Sequence, residues 1–244
     1  MNYKKCYTPK NGYTPICKIG DCSLKKLEFG IIELDSSEAL DYNTNDKETA
    51  FIVLEGHCNV YVDGETWENV GNRMTVFENK RAESFYMPRE KSLKIEGVDH
   101  VKIAVCATPV SEKTEPQLLR EDHVTLKLLG EVPYQRETSF IIDGNSNAKV
   151  LTIGEAYCKE GNWAGFPPHK HDVNDMPREC IAEEIYYFLF EPKQGFAVQC
   201  LYTSDGEIDE AYRVKNSEHC VIACSCVKIS FISESFTPSF AKRV

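Results

Sequence analysis

Long apolar runs are missing from this 244-residue sequence; without one near the ~20 residues that cross a bilayer, no membrane association is predicted. The first residues are polar rather than forming the apolar centre of a secretory signal, which predicts a cytoplasmic protein. Clusters of lysine and arginine are missing too, and the net charge is −10, so nucleic acid is not an expected partner. In so acidic a chain, an anionic substrate needs a metal ion or a few well-placed cations.

Sustained 3.6-residue periodicity is also absent, which argues against a mainly helical fold. Short β-branched and aromatic runs recur instead, separated by turn residues, as is typical of antiparallel sandwiches and barrels. The clearest runs are Phe29–Leu34, Ala50–Leu54, Asn59–Val62, Val101–Cys106, Lys149–Ile153, Ile185–Phe190, Phe196–Tyr202 and Ala211–Val214. The sequence therefore predicts an all-β protein.

The two halves of the chain resemble each other. In the first half, a strand that begins at Glu48 leads through a second strand to an Asp-Gly-Glu turn at residues 63–65. In the second half, a strand that begins at Glu184 leads likewise to Asp-Gly-Glu at residues 205–207. This repeat predicts a duplicated β-barrel. The pattern loosens near the midpoint, so we predict a first barrel, a connector and a second barrel at residues 1–115, 116–137 and 138–244.

The most informative motif is Pro-Pro-His169-Lys-His171-Asp, in a chain with six histidines. Alternate residues of a strand point to the same face, so these two imidazoles would lie about 6–7 Å apart and could share one metal ion. A carboxylate for the same ion is available at Glu183 or Glu184, which open the next strand. The alternative is a surface histidine pair in a proline-rich loop.

Several motifs together resemble the 5-deoxy-glucuronate isomerase family of inositol catabolism. The resemblance runs from about residue 25 to 216 and is carried by Gly161-Asn-Trp through His-Lys-His-Asp172, Glu183-Glu-Ile-Tyr-Tyr-Phe188, Pro192-Lys-Gln-Gly-Phe196, Leu201-Tyr-Thr203, Glu48 to Gly56 and Val70 to Phe77. It implies two tandem cupin barrels, each a double-stranded β-helix or jelly roll. The first barrel is expected to lack metal and to serve packing and homodimer formation.

The resemblance also implies a metal site and a reaction. His169, His171 and Glu184 would hold a divalent ion, for which Zn, Mn, Fe and Ni are equally suitable. The family interconverts 5-deoxy-D-glucuronate, a small sugar acid, and 5-dehydro-2-deoxy-D-gluconate through an enediol. Tyr186 and Tyr202 lie on predicted barrel strands and are the candidate catalytic side chains.

The resemblance breaks after residue 216, where a Gly-Tyr-His-Pro segment with the fourth metal ligand should follow. Val227 stands at the ligand position, so the second barrel is predicted to be incomplete and turnover slow. Arginines expected at two upstream positions are replaced by Leu189 and Cys200. Three explanations remain open for the atypical tail at residues 217–244: a shifted reading frame, a decayed cupin, or a substitute ligand from His219 or the nearby cysteines Cys220, Cys224 and Cys226.

Two other functions compete with this assignment. One is 4-deoxy-L-threo-5-hexosulose-uronate ketol-isomerase, an enzyme of pectin breakdown that uses the same cupin chemistry. The other is a non-catalytic cupin that binds a sugar, which the absence of a stoichiometric divalent ion would favour. The eleven cysteines are odd in number and scattered, so we expect reduced thiols rather than a disulfide framework.

Overall fold

The computed structural model describes residues 4–6, 8–21, 24–78, 80–164, 173–178, 181, 183–203, 206–222 and 227–235. Over these residues the regular elements are strands, apart from short single-turn segments such as the 3-10 turn Glu121–His123. The strands are β1 (Lys4–Cys6), β2 (Gly12–Cys17), β3 (Glu28–Leu34), β4 (Ala39–Asn43), β5 (Lys47–Val62), β6 (Glu65–Arg73), β7 (Ser84–Met87), β8 (Ser92–Gly97), β9 (Val101–Pro109), β10 (Gln117–Leu119), β11 (Thr125–Leu129), β12 (Arg136–Ile142), β13 (Thr152–Lys159), β14 (Glu183–Glu191), β15 (Phe196–Tyr202), β16 (Asp209–Lys215), β17 (Glu218–Ile222) and β18 (Val227–Ser235). The all-β prediction is confirmed.

The first half forms one barrel-like sandwich with strand order β10-β7-β5-β9-β3-β2, to which β4, β6 and β8 are attached. Strand β5 is long enough to take part in both of its sheets, and it bends near Gly56. The backbone of Gly56 has φ +76°, and a Cβ there would lie 2.1 Å from the His100 carbonyl oxygen. Two sequence-predicted strands are therefore one continuous strand, because a glycine at the bend replaces a turn.

The interior of this first barrel is filled by apolar side chains. They include the stacked rings of Phe51 and Phe85, whose centroids are 4.6 Å apart, and aliphatic residues such as Val53, Val60 and Ile103.

The second half has strand order β1-β17-β14-β18-β13-β12-β11, with β15 and β16 forming a separate hairpin. The residues predicted to be a connector form strands in both halves. Strand β10 pairs with β7 of the first half, and β11 pairs with β12 of the second. Within the described ranges, no helix is long and apolar enough to cross a membrane.

A shared apolar layer joins the two halves. Ile31, Ile52 and Leu54 of the first half pack in one cluster with Ile153 and Tyr187 of the second. Because each half contributes one face of a sheet to this layer, the other face of each sheet is left to line its own barrel.

Two buried glutamates relate the halves by an approximate two-fold symmetry. The carboxylate of Glu183 accepts hydrogen bonds of 2.8–3.0 Å from the backbone N–H groups of residues 25–27, directly before β3. The carboxylate of Glu48 accepts hydrogen bonds of 2.7–2.8 Å from the N–H groups of residues 149–151, directly before β13. Glu48 is therefore equivalent to Glu183 and not, as the sequence repeat suggested, to Glu184. Thr49 is the counterpart of Glu184.

The last described strand, β18, differs in direction from β9, the strand at the corresponding place in the first half. In the first half β9 lies between β3 and β5 and runs antiparallel to both. In the second half β18 takes the corresponding place between β13 and β14 but runs parallel to both. The segment that the sequence predicted to be atypical thus occupies the expected place in the sheet with its direction reversed.

Candidate functional site

Strand β14 divides its side chains between the shared layer and the interior of the second barrel. Ile185, Tyr187 and Leu189 belong to the shared layer. Phe188 and Phe190 belong to a separate cluster with Ala156, Cys158 and Val214, against which Tyr186 packs. Because side chains alternate along a strand, Glu184 lies on this second face and Glu183 on the first. Of the two glutamates that the sequence offered as a metal ligand, Glu184 is therefore the one that faces the interior of the second barrel.

Glu184 and Tyr186 form the polar centre of this interior face. Glu184 is 3% exposed, and the Tyr186 hydroxyl donates a 2.7 Å hydrogen bond to its Oε2. Burial, and next the charge of Glu184, raise the pKa of Tyr186 well above its ordinary value. Tyr186 therefore keeps its proton at neutral pH and is suited to donate a hydrogen bond rather than to act as a base.

The two predicted histidine ligands, His169 and His171, lie outside the described residues. Within the described part of the chain, no group of three His, Cys, Asp or Glu side chains is placed to hold a metal ion. Glu184 itself fits the part of a metal ligand, because it is a buried interior carboxylate oriented by a hydrogen bond. The assignment of His169, His171 and Glu184 as metal ligands therefore stays a prediction.

Tyr202 is not part of this centre. It is 57% exposed and shares the outer face of β15 with Phe196, Val198 and Cys200, which are also exposed. Leu201 points the other way and is buried. The structure therefore separates Tyr202 from Glu184, in contrast to the sequence expectation that both tyrosines line the barrel.

Arg136 joins the interior face, although no sequence motif singled it out. It opens β12 directly opposite Cys158 of β13, and paired residues of antiparallel strands point to the same face. Cys158 is a member of the interior cluster against which Tyr186 packs. The positive charge of Arg136 acts on Tyr186, where it lowers the pKa against the larger raising effects of burial and Glu184.

A shallow cleft of about 500 Å³ lies elsewhere, on the first half, and is lined by Tyr42, Tyr61, Asp63 and Lys94 among others. It is formed by β4, β5, β6 and β8 and shares no residue with β14. We take the interior face of β14 as the candidate site, because Glu184, the carboxylate that the sequence proposes as a metal ligand, lies there and is oriented by the Tyr186 hydroxyl.

The comparison with known protein families decides the assignment of the chain. Residues 3–227 match the model of the KduI/IolB family. The chain belongs to this family. The match covers both halves, and it ends at the residue where the sequence predicted the fourth metal ligand to be lost.

Curated KduI/IolB relatives match most of the chain. A protein named 5-deoxy-glucuronate isomerase from Geobacillus thermodenitrificans is 34% identical over 190 residues, which cover 78% of this chain and 69% of the relative. A protein of the same name from Bacillus subtilis is 30% identical over 200 residues, with coverage of 82% and 74%. The crystal structure of an IolB-like protein from Salmonella typhimurium matches the fold with a TM-score of 0.83 at 23% identity, covering 94% of this chain and 88% of that protein. The prediction of this isomerase family is confirmed.

The structure describes two of the four tail residues that were suggested as substitute metal ligands, His219 and Cys220. His219 is fully buried and lies opposite Tyr187, with its ring 6.3 Å from that of Phe29. It therefore lies on the shared-layer side of the sheet and not with Glu184. Cys220 takes the register position opposite Tyr186, while Cys224 and Cys226 lie outside the described residues.

Proposed function

We propose that this chain is a sugar-acid ketol-isomerase that converts 5-deoxy-D-glucuronate to 5-dehydro-2-deoxy-D-gluconate in myo-inositol catabolism. Its family and the names of its curated relatives support the reaction. The single structural observation that carries the proposal is the hydrogen bond between the half-buried Tyr186 and the buried Glu184 on the interior face of the second barrel. A cytoplasmic location and a homodimeric assembly remain predictions.

The reaction moves a proton from C2 to C1 of the sugar acid, so negative charge develops on the carbonyl oxygen. A divalent ion held by His169, His171 and Glu184 would supply electrophilic stabilisation of that oxygen. The chain itself contributes a water-poor interior formed by Phe188 and Phe190, both nearly fully buried. Low polarity around the reacting carbons strengthens the electrostatic interactions on which the reaction depends.

Tyr186 acts as a positioning residue in this proposal. Its hydroxyl donates to Glu184 Oε2 and so fixes the carboxylate in one orientation. Because the phenol keeps its proton, the base that removes the C2 proton must be another group. Tyr202 is not proposed for that part, since it is exposed on the outer face of β15.

We expect turnover to be slow compared with relatives that have a fourth ligand. Val227 occupies the position predicted for that ligand and cannot coordinate a metal, and β18 pairs with β14 from Val227 onward in the parallel sense. A site with one ligand fewer is more open and less rigid. Introducing histidine and proline at positions 227 and 228 alone is not expected to restore full activity, because the strand direction is unchanged.

The test is a ¹H NMR assay of the full chain with 5-deoxy-D-glucuronate in the presence of Mn²⁺ or Zn²⁺, together with measurement of bound metal. We expect slow formation of 5-dehydro-2-deoxy-D-gluconate by the wild type. Glu184→Gln should abolish it and lower the metal content. Glu191→Gln changes an exposed glutamate at the end of the same strand and is the matched control. Equal activity of Glu184→Gln and wild type would refute the proposal.

The competing functions are distinguished by the same preparation. Faster conversion of 4-deoxy-L-threo-5-hexosulose-uronate than of 5-deoxy-glucuronate would favour the pectin-pathway activity. Sugar binding without bound metal and without turnover would favour a non-catalytic cupin. The names of the curated relatives favour the inositol-pathway substrate.

A further inference from the structure

The proposed substrate is a sugar acid, and its carboxylate needs a cation in the second barrel. The sequence expected arginines at positions 189 and 200, now occupied by leucine and cysteine. Leu189 packs in the layer shared by the two halves, and Cys200 is exposed on the outer face of β15. Neither position faces the interior. Arginines at these positions would not have lined the interior face, so their replacement does not remove a carboxylate site from that face.

Among the described residues from 125 to 219, Arg136 is the one cationic side chain that is not exposed. The others are Lys127, Lys149, Lys159, Arg178, Lys193, Arg213 and Lys215, all of them exposed. Arg136 is half-buried, and its register opposite Cys158 directs it to the interior cluster. Among the described residues from 125 to 219, Arg136 is therefore the one sheltered positive charge that is directed to the interior face.

This charge has no anionic partner among the residues that the structure describes. Within the ranges that the structure describes, no salt bridge or side-chain hydrogen bond involves Arg136, and the next residue, Glu137, is exposed and points to the opposite face. Arg73, a buried arginine at the boundary between the two halves, is by contrast paired in bidentate fashion with Glu155. A half-buried guanidinium that is not paired with a carboxylate keeps its N–H groups available for an anionic ligand.

We propose that Arg136 binds the carboxylate of the sugar-acid substrate and so selects uronates over neutral sugars. The planar guanidinium presents two parallel N–H groups that match the two carboxylate oxygens. Glu184 and Tyr186 lie on the same interior face. The carboxylate end of the substrate is then held from β12, while the carbonyl end is directed to β14. This assignment rests on the proposed function for the identity of the substrate.

The selectivity is tested with two stable sugars that differ at one group. D-glucuronate has a carboxylate where D-glucose has a hydroxymethyl group, and the binding of each to the full chain is measured by calorimetric titration. The variants are Arg136→Gln, Arg136→Lys and, as the matched control, Arg213→Gln. Arg213 is exposed on β16, where the central carbon of its guanidinium lies 4.4 Å from the centroid of the Phe196 ring.

The wild type is expected to prefer glucuronate, and Arg136→Gln to reduce this preference by about 10- to 100-fold. Arg136→Lys should retain part of the preference because it keeps the charge, and Arg213→Gln should retain all of it. Three outcomes would overturn the proposal: the wild type binds glucuronate and glucose equally tightly, Arg136→Gln keeps the wild-type preference for glucuronate, or Arg136→Gln loses affinity for both sugars by the same factor.

Failure of the isomerase assignment would show differently. In that case 5-deoxy-glucuronate would remain unconverted while the wild type still preferred glucuronate and Arg136→Gln still lost that preference. If conversion occurs, Arg136→Gln should raise KM for 5-deoxy-glucuronate by a larger factor than it lowers kcat.

Discussion

Arg73 and Glu155 form a bidentate ion pair across the boundary between the two halves, with N–O distances of 2.8 and 2.9 Å. Their side chains are 0% and 6% exposed. Breaking a buried pair from one side leaves an uncompensated charge in a poorly solvated place. Arg73→Met should therefore lower the free energy of unfolding by roughly 3–5 kcal/mol.

The double variant Arg73→Met/Glu155→Leu provides the control for this first prediction. It removes both charges, so it should recover most of the lost stability in urea denaturation. If the double variant is as unstable as Arg73→Met alone, the loss comes from packing and not from the stranded carboxylate.

The carboxylate of Glu183 is predicted to be as important for stability as an ion pair. In Glu183→Gln one of its two acceptor oxygens becomes an NH₂ group that faces backbone N–H donors, so some of these donors lose their acceptor. We expect a loss of about 3 kcal/mol in the free energy of unfolding, measured by urea denaturation. Glu191→Gln on the same strand should change stability by less than about 0.5 kcal/mol, because Glu191 is exposed. A loss of similar size in both variants would contradict this prediction.

The hydroxyl of Tyr186 is predicted to support metal binding through Glu184. Tyr186→Phe removes the 2.7 Å hydrogen bond and retains the ring, so the affinity for Mn²⁺ or Zn²⁺ should fall about 10- to 100-fold. Titration with either metal measures the effect. Tyr202→Phe removes the same atom from an exposed side chain and should leave the affinity unchanged. Equal affinities of Tyr186→Phe and wild type would contradict the positioning role.

Asp99 is predicted to make stability depend on acid pH. Burial works to raise its pKa, but the His57 side chain at 2.8 Å and the His57 backbone N–H at 2.7 Å together lower the pKa below its ordinary value. A carboxyl group with a lowered folded pKa stabilises the protein above its unfolded pKa near 3.9, and this contribution disappears as pH falls through the folded value.

Asp99→Asn tests this relationship. It should destabilise the protein by about 1 kcal/mol or less at pH 7, a small amount because Asp99 is 36% exposed and screened by water. The difference from wild type should shrink as the pH falls below about 4. A difference that is the same at pH 3 and pH 7, measured by urea denaturation, would show that the charge of Asp99 is not involved.

Alternation along a single strand can be read from the sequence, because adjacent residues such as Glu183 and Glu184 point to opposite faces. The face of Tyr202 could not be predicted, because both faces of β15 carry apolar residues such as Val198 and Leu201. Which of the two faces is buried depends on how the β15–β16 hairpin packs against the second barrel. The start of β13 was predicted too early, because the N–H groups of residues 149–151 bond to Glu48 and not to a neighbouring strand.

Arg136 could not be found from the sequence for a related reason. It lies at the end of the predicted connector and is preceded by exposed or half-buried turn residues, so no local pattern marks it as part of a barrel. Its direction is determined by the register between β12 and β13, which is a long-range relationship. Register of this kind follows from the packing of the whole sheet rather than from neighbouring residues.

The reciprocal bonds of Glu48 and Glu183 suggest how the molecule arose. A single ancestral barrel that carried such a glutamate, with N–H groups before its third strand, would form both sets of bonds by pairing with a second copy around a two-fold axis. Fusion of two such genes would preserve both contacts within one polypeptide and free each copy to diverge. One copy then has a carboxylate at position 184, while the other has a hydroxyl at the equivalent position, Thr49.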